Sequence, residues 1–441
     1  MNRIYISAGL LALGATAAYA QYSPGLTPMD TSKPWSLSAS VRGFYDDNYL
    51  TLPKTIPGPN GTFVQGARDT FGTDVSPSVS YYHSTSDTIL SASYVYDLRY
   101  YQDHGGTTDQ THQFVSKMEH EFSERYKMSL AETFVVAQDP GVLSPGVISG
   151  PLRVEGSNIR NTAGADFTAQ LTKLFDLHLG YGNTYYSYQG NGGDEYPANN
   201  YPSYSALLDR MDQTGTVDLR WKALPSTTGV LGYQFEDVDY TSPEDIIYAT
   251  SGNKFSGHGS YASSIRDSES HFVYVGADQS FAQNLNGSIR AGGEYLDYYK
   301  YGTDELSPYV DASLSYQYMP QSTAQLGVKH IHNSTDVAGT VGTTPVLDEE
   351  STVVYLSVNH RVTSRFTVGA LGQIQYSTFN GGGDTYDGRE ENFYTLNLNM
   401  AYHFTPWLTG EAGYTYNKLN TEIADRGYTQ NDVYIGVRAN Y

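Results

Sequence analysis

Two runs of this chain place charge at every second position: Lys117, Glu119 and Glu121, then Asp218, Arg220 and Lys222. A period of two puts such side chains on one face of a strand, so each run would set cations and carboxylates side by side along a wall. Mixed charge on facing walls creates a transverse field that orients water and sorts solutes. Arg99, Asp311, Arg361 and Glu411 have the same inward parity in their own segments. The plainer reading is that a wet wall tolerates charge and most of these residues are solvated filler.

Catalytic chemistry finds less support. Nucleophilic hydrolysis needs a nucleophile, a base and an orienting partner, and neither Gly-x-Ser-x-Gly nor a similar local signature occurs. No catalytic residue is assigned, and the chain is read as a non-enzyme. His330-x-His332 could present two imidazoles on one strand face. By parity with Leu326 and Val328 they point outward near the outer interface, and no metal is assigned to them. The Gly-rich runs 190–193 and 381–383 precede no helix, so they predict no phosphate-binding loop and no cofactor.

Strands must position these charges, and the last fifty residues show their form. Tyr394, Leu396, Leu398, Met400, Tyr402 and Phe404 alternate with Thr395, Asn397, Asn399 and His403. The turn Thr405-Pro406-Trp407 leads into Leu408, Gly410, Ala412, Tyr414 and Tyr416, and a closing strand carries Val433, Ile435, Val437, Ala439 and Tyr441 on one face. One face suits hydrocarbon and the other water, the pattern of a transmembrane β-barrel.

Residues 1–20 carry Arg3, an apolar run from Ile4 to Leu13 and Ala18-Tyr19-Ala20, the three parts of a secretory signal peptide. The mature chain is expected to begin at Gln21. Removing the leader takes away one cation and leaves 25 Lys and Arg against 47 Asp and Glu, a charge of −22. Such a chain will not seek nucleic acid. Cysteine is absent, while 41 Tyr and 44 Gly accompany a mean hydropathy of −0.45. That composition suits a wet interior inside a thin lipid band.

Short and long connections alternate along the whole chain. Eight short ones fall at 84–87, 123–125, around Asp176, 224–227, 283–284, 320–322, 363–365 and 405–407. Nine long ones run over 46–68, 102–110, 139–158, 190–210, 241–267, 300–305, 333–350, 379–391 and 420–431. Together they predict an all-β fold: a single closed antiparallel barrel over 35–441, of about 18 strands with 16 the alternative, behind a short periplasmic segment 21–34. Short turns would be periplasmic and long loops extracellular. The weakest strands hold Glu132 and Asp237 among outward apolar residues, where a bulge or an early end is expected. Trp35, Trp221 and Trp407 all fall beside short connections, as an aromatic girdle requires. Closure would pair the first strand with the last, because an open edge in lipid leaves backbone groups unsatisfied.

The leader, the hairpins throughout and the terminus Tyr434-x-Gly436-x-x-Ala439-x-Tyr441 resemble the barrels grouped as putative beta-barrel porin 2. The resemblance implies residence in the bacterial outer membrane after export. It also implies contact with lipid and lipopolysaccharide, and with the outer-membrane assembly machinery, which reads a C-terminal signal that usually has a large apolar residue where Ala439 stands. The expected function is a channel for passive diffusion of small hydrophilic solutes. It would be weakly cation-preferring, because acids such as Glu244, Asp304, Asp348, Glu349, Glu350 and Glu391 crowd the long loops. The alternative is a barrel for exopolysaccharide export or surface assembly, since Tyr101, Tyr186, Tyr309, Tyr355 and Tyr434 have inward parity and can stack on sugars. Loops 139–158, 190–210 and 241–267 are candidates to narrow the bore. Parity carries no signal for the solute or for self-association.

Overall fold

The structure, a computed structural model, describes residues 34–57, 62–102, 108–138, 157–189, 203–249, 258–338, 344–424 and 426–441. The expected signal peptide and all of the segment 21–34 except Pro34 lie outside them. The first nine strands of the ring are β1 (Trp35–Asp46), β4 (Thr70–Ser84), β5 (Thr88–Tyr101), β6 (Thr108–Ser123), β7 (Tyr126–Ala137), β8 (Ser157–Gln170), β9 (Phe175–Gln189), β10 (Arg210–Leu224) and β11 (Thr227–Tyr240). The ring continues with β14 (Ser268–Ala282), β15 (Leu285–Tyr298), β16 (Thr303–Met319), β17 (Ser322–Asn333) and β18 (Val346–Arg361). It ends with β19 (Phe366–Gly381), β20 (Glu390–His403), β21 (Leu408–Thr421) and β22 (Tyr428–Asn440). Hairpins β2 (Thr55–Pro57) with β3 (Phe63–Gln65) and β12 (Asp245–Ala249) with β13 (His258–Ala262) stand in two long connections. A short helix α1 (Tyr204–Leu208) precedes β10.

The ring has eighteen strands, and β1 pairs antiparallel with both β4 and β22. Closure gives every barrel strand a neighbour on both sides and leaves no open edge, which lipid demands. The alternation is realised as side-chain exposure. On β20, Leu396, Leu398, Met400 and Tyr402 are 38–49% exposed on the outside, whereas Thr395 and Asn397 on the other face are buried. Trp35, Trp221 and Trp407 are exposed at the short-turn end, with Phe122, Phe175, Phe281 and Phe404 at the same level. No described helix is long and apolar enough to cross a membrane; strands do the crossing.

Several expectations need correction. The turn expected around Asp176 lies at 171–174, because Asp176 is an inward residue of β9 that bonds Lys222. Neither Glu132 nor Asp237 marks a bulge or a strand end: Glu132 pairs in regular register with Ser116 and Ala163, and Asp237 with Gln213 and Glu269. Glu132 therefore projects from the outer face, into a hollow of about 410 Å³ bounded by Leu90, Met118, Leu130 and Tyr181. Asp348, Glu349 and Glu391 do not join an acidic mouth; they lie within β18 and β20 and all three are buried.

Candidate solute path along the inner wall

Cross-strand rows bring the inward charges together, and two glycines make this possible. Arg42, Gly436 and Glu411 form one row across β1, β22 and β21. Because Gly436 has no side chain, Arg42 passes over it and donates from Nε to Glu411 Oε1 at 2.6 Å. A Cβ on Gly436 would stand 2.7 Å from Arg42 Cγ, so the bridge requires glycine. Asp218, Gly232 and Tyr274 repeat the device across β10, β11 and β14, the Tyr274 hydroxyl donating to Asp218 Oδ1 at 2.7 Å.

The first bridge belongs to a network at the barrel seam. Arg438 Nη2 reaches Glu411 Oε2 at 2.5 Å, and Arg42 Nη1 lies 4.0 Å from Asp74 Oδ2. The Ser76 hydroxyl stands between Asp74, at 2.7 Å, and Asp97, and its single proton is shared between the two carboxyl groups. Arg99 bonds Asp432, stands 3.9 Å from Asp46 Oδ2, and lies over the Phe44 ring at 3.8 Å. Pro77 lies within β4, and the β4–β5 ladder is interrupted between Val75 and Ser78, as a residue without an N–H dictates.

The other expected wall residues divide into different settings. Asp218 also accepts from Arg220 Nη2 at 3.3 Å and faces His178, which bonds Asp166 at 3.1 Å. Lys222 is not part of that group; it pairs with Asp176 at 2.8 Å. Asp311 stands in register between Arg290 and Lys329, giving a row of alternating sign. Lys117 pairs with Glu119 at 2.6 Å, but Glu121 turns to Lys127 on β7 at 2.5 Å, and all four side chains are about half exposed. Arg361 sits at the short-turn end, where it bonds the Thr363 and Ser364 carbonyls and Gln321.

At the other end, long connections meet over the mouth. Arg266, between β13 and β14, is 1% exposed and donates to the Leu207 carbonyl of α1 and to the Thr335 and Val337 carbonyls beyond β17. Six of the eighteen barrel strands separate α1 from Thr335 along the ring. Segments anchored a third of the circumference apart can share one guanidinium only by leaving the rim and folding inward. Arg426 extends the bundle, pairing with Asp336 at 2.7 Å and Glu391 at 2.7 Å. Apolar contacts pack it: Ala206, Leu207 and Ile246 with Ala338, and Val337 with Val346, Phe379 and Tyr386.

Charge in the mouth responds to this packing. Burial lowers the pKa of Arg266, since the three carbonyls it meets carry no charge to offset the lost hydration. Burial also disfavours the Arg426 cation, yet Asp336 and Glu391 outweigh it and raise its pKa. Asp209, after α1, is raised by desolvation even though Ser205 Oγ and the Tyr188 N–H donate to it at 2.5 and 2.6 Å. Of the loops expected to narrow the bore, 139–156, 190–202 and 250–257 lie outside the described residues; of the rest, α1, Ile246, Ser263 and Arg266 are drawn into the shared bundle. The segment 334–338 and Arg426 carried no periodic signal that could have marked them.

A closed ring of strands, apolar outside and charged within, defines a transmembrane β-barrel of the outer-membrane type. From Asp239 to the C-terminus, residues 239–441, the chain matches the family described as putative beta-barrel porin 2. The match spans nine barrel strands, β14 to β22, and includes the terminal motif in which Gly436 lets Arg42 pass. No curated protein matches the chain. Among solved structures it is similar to the outer membrane protein OpdK of Pseudomonas aeruginosa, at 9% identity and TM-score 0.43 over 92% of this chain and 99% of that one. It is similar also to OccAB4 of Acinetobacter baumannii, at 10% identity and TM-score 0.42 over 93% and 99% of the two chains. The FrpB iron transporter of Neisseria meningitidis shows 8% identity and TM-score 0.43 over 93% of this chain and 82% of that one.

Proposed function

We propose that the barrel is a passive outer-membrane channel for small hydrophilic solutes, entered through a mouth that inward-folded loops narrow. The carrying observation is the inner wall: the ring has eighteen strands, a number at which such barrels leave room for an aqueous channel, and charges pair along its wall. Arg99, Lys117, Glu119, Glu121, Asp218, Arg220, Lys222, Asp311, Arg361 and Glu411 are proposed as the residues that solutes pass. Exposed acids at the mouth, such as Glu244, Glu390 and Glu422, favour cations mildly. Export by a signal peptide, contact with lipopolysaccharide and insertion through the C-terminal strand belong to this reading. Conductance in planar bilayers tests it. Ohmic channels with a reversal potential shifted modestly toward cations are expected; a folded barrel that passes no ion at any voltage overturns it.

The second reading, export or assembly of surface polysaccharide, draws on the inner aromatics. Tyr309 lies 5.5 Å from Tyr274 and 5.3 Å from Phe272 on the inward face, a platform on which a sugar ring could stack. Conductance blocked by oligosaccharides in wild type and not in Tyr309→Ala would favour it.

A further inference from the structure

At the mouth end of β15 to β18 two histidines and three carboxylates converge. The β16–β17 ladder stops at Val310 with His330, although β16 starts earlier, at Thr303. In the gap, His332 turns away from the outward position that parity assigned to it, and its side chain is 5% exposed. Its Nδ1 stands 3.1 Å from Oε2 of Glu294, itself 2% exposed. A carboxylate there accepts a hydrogen bond from Nδ1–H, which in the neutral ring puts the lone pair on Nε2. That Nε2 is buried with no hydrogen-bond partner, and Glu305 Oε2 is the carboxylate it faces, at 3.9 Å. Glu350 completes the cluster, held by His330 Nε2 at 3.0 Å while His330 Nδ1 meets Thr352 Oγ1 at 2.7 Å.

One donor atom each from Glu305, His332 and Glu350 lies within 4.8 Å of the others. We infer that these three residues bind a divalent transition-metal ion, Zn²⁺ in kind, across the gap between β16 and β17. An imidazole beside two carboxylates suits zinc, whereas calcium and magnesium prefer oxygen alone. Metal bonds of about 2.0–2.2 Å place tetrahedral donors about 3.3 Å apart. The cluster closes to that by rotation of Glu305 and Glu350, which are 40% and 25% exposed. Glu294 supplies the carboxylate behind a ligating histidine that orients the ring and raises its basicity. Bound there, the ion replaces the missing backbone rungs and ties the rims of β16, β17 and β18 together. Solute passage is not part of this inference.

The test uses the full-length barrel, folded in detergent, stripped with chelator and titrated calorimetrically with Zn²⁺. Wild type is expected to show one tight site above the weak binding of surface carboxylates, and a Tm that rises with zinc. His332→Ala and, with less effect on packing, Glu350→Gln should each lose that site and the zinc-dependent rise. Glu294→Gln should keep it with affinity lowered 10- to 100-fold. Equal zinc stoichiometry and affinity in wild type, His332→Ala and Glu350→Gln would overturn the assignment, as would a wild-type Tm indifferent to zinc.

Discussion

The seam of the barrel and the wall at β6–β7 carry similar charged residues in opposite conditions. At the seam, Arg42 and Glu411 have 9% and 6% of their side chains exposed, and each has a further partner. At β6–β7, Lys117 and Glu119 are each 47% exposed and form one pair. Density along the sequence pointed to the second place. Density in space belongs to the first, because its residues come from strands at both ends of the chain and meet only when the ring closes. A buried network holds structure and loses much when one member goes, whereas a solvated pair is free to meet solutes and holds little structure.

The largest expected effect is at the seam. Glu411→Gln leaves Arg42 and Arg438 buried around a neutral amide and should cost about 3 kcal/mol, read as a lower urea midpoint for the folded barrel in lipid vesicles. A midpoint within error of wild type would mean that the seam is as well solvated as β6–β7. Next is Arg426→Ala at the mouth, which frees Asp336 and Glu391 and should release segment 334–338. Single-channel conductance is expected to rise, and an unchanged value would show that this bundle does not narrow the path. Glu132→Leu acts on the outer face and should stabilise by about 1 kcal/mol, since a carboxylate in the lipid band carries a moderate penalty; a loss of stability would point to a partner in that hollow. The smallest effect on folding belongs to Lys117→Gln, within about 0.5 kcal/mol for an exposed pair. Its signature should instead be a reversal potential displaced toward cations, and the same displacement in Arg42→Gln would erase the distinction between the two regions.

Much of the architecture was legible because the dyad rule is local. Eighteen strands, closure between Trp35 and the last strand, and the Trp residues at one rim follow from alternation, turn spacing and the need to leave no edge in lipid. The misreadings share one cause, the use of polarity to mark an ending. Asp176 was taken for a turn, Glu132 and Asp237 for breaks, and Asp348, Glu349 and Glu391 for loop, yet all six lie within strands: a barrel wall accepts charge where its bore or rim offers a partner or water, and Glu132 stands in the hollow of the outer face. Parity also failed at His332, where the ladder to β16 has already stopped and the strand no longer dictates direction.

For this protein the order of residues determined which face of each strand meets lipid and which meets water, because side chains alternate irrespective of what lies beside them. Which charge meets which was decided by tertiary structure alone. Strand register set Arg42 opposite Gly436 and within reach of Glu411, and loop folding carried Thr335 and Val337 to Arg266. Those meetings depend on distances across a closed ring, and a pattern read along one strand contains none of them.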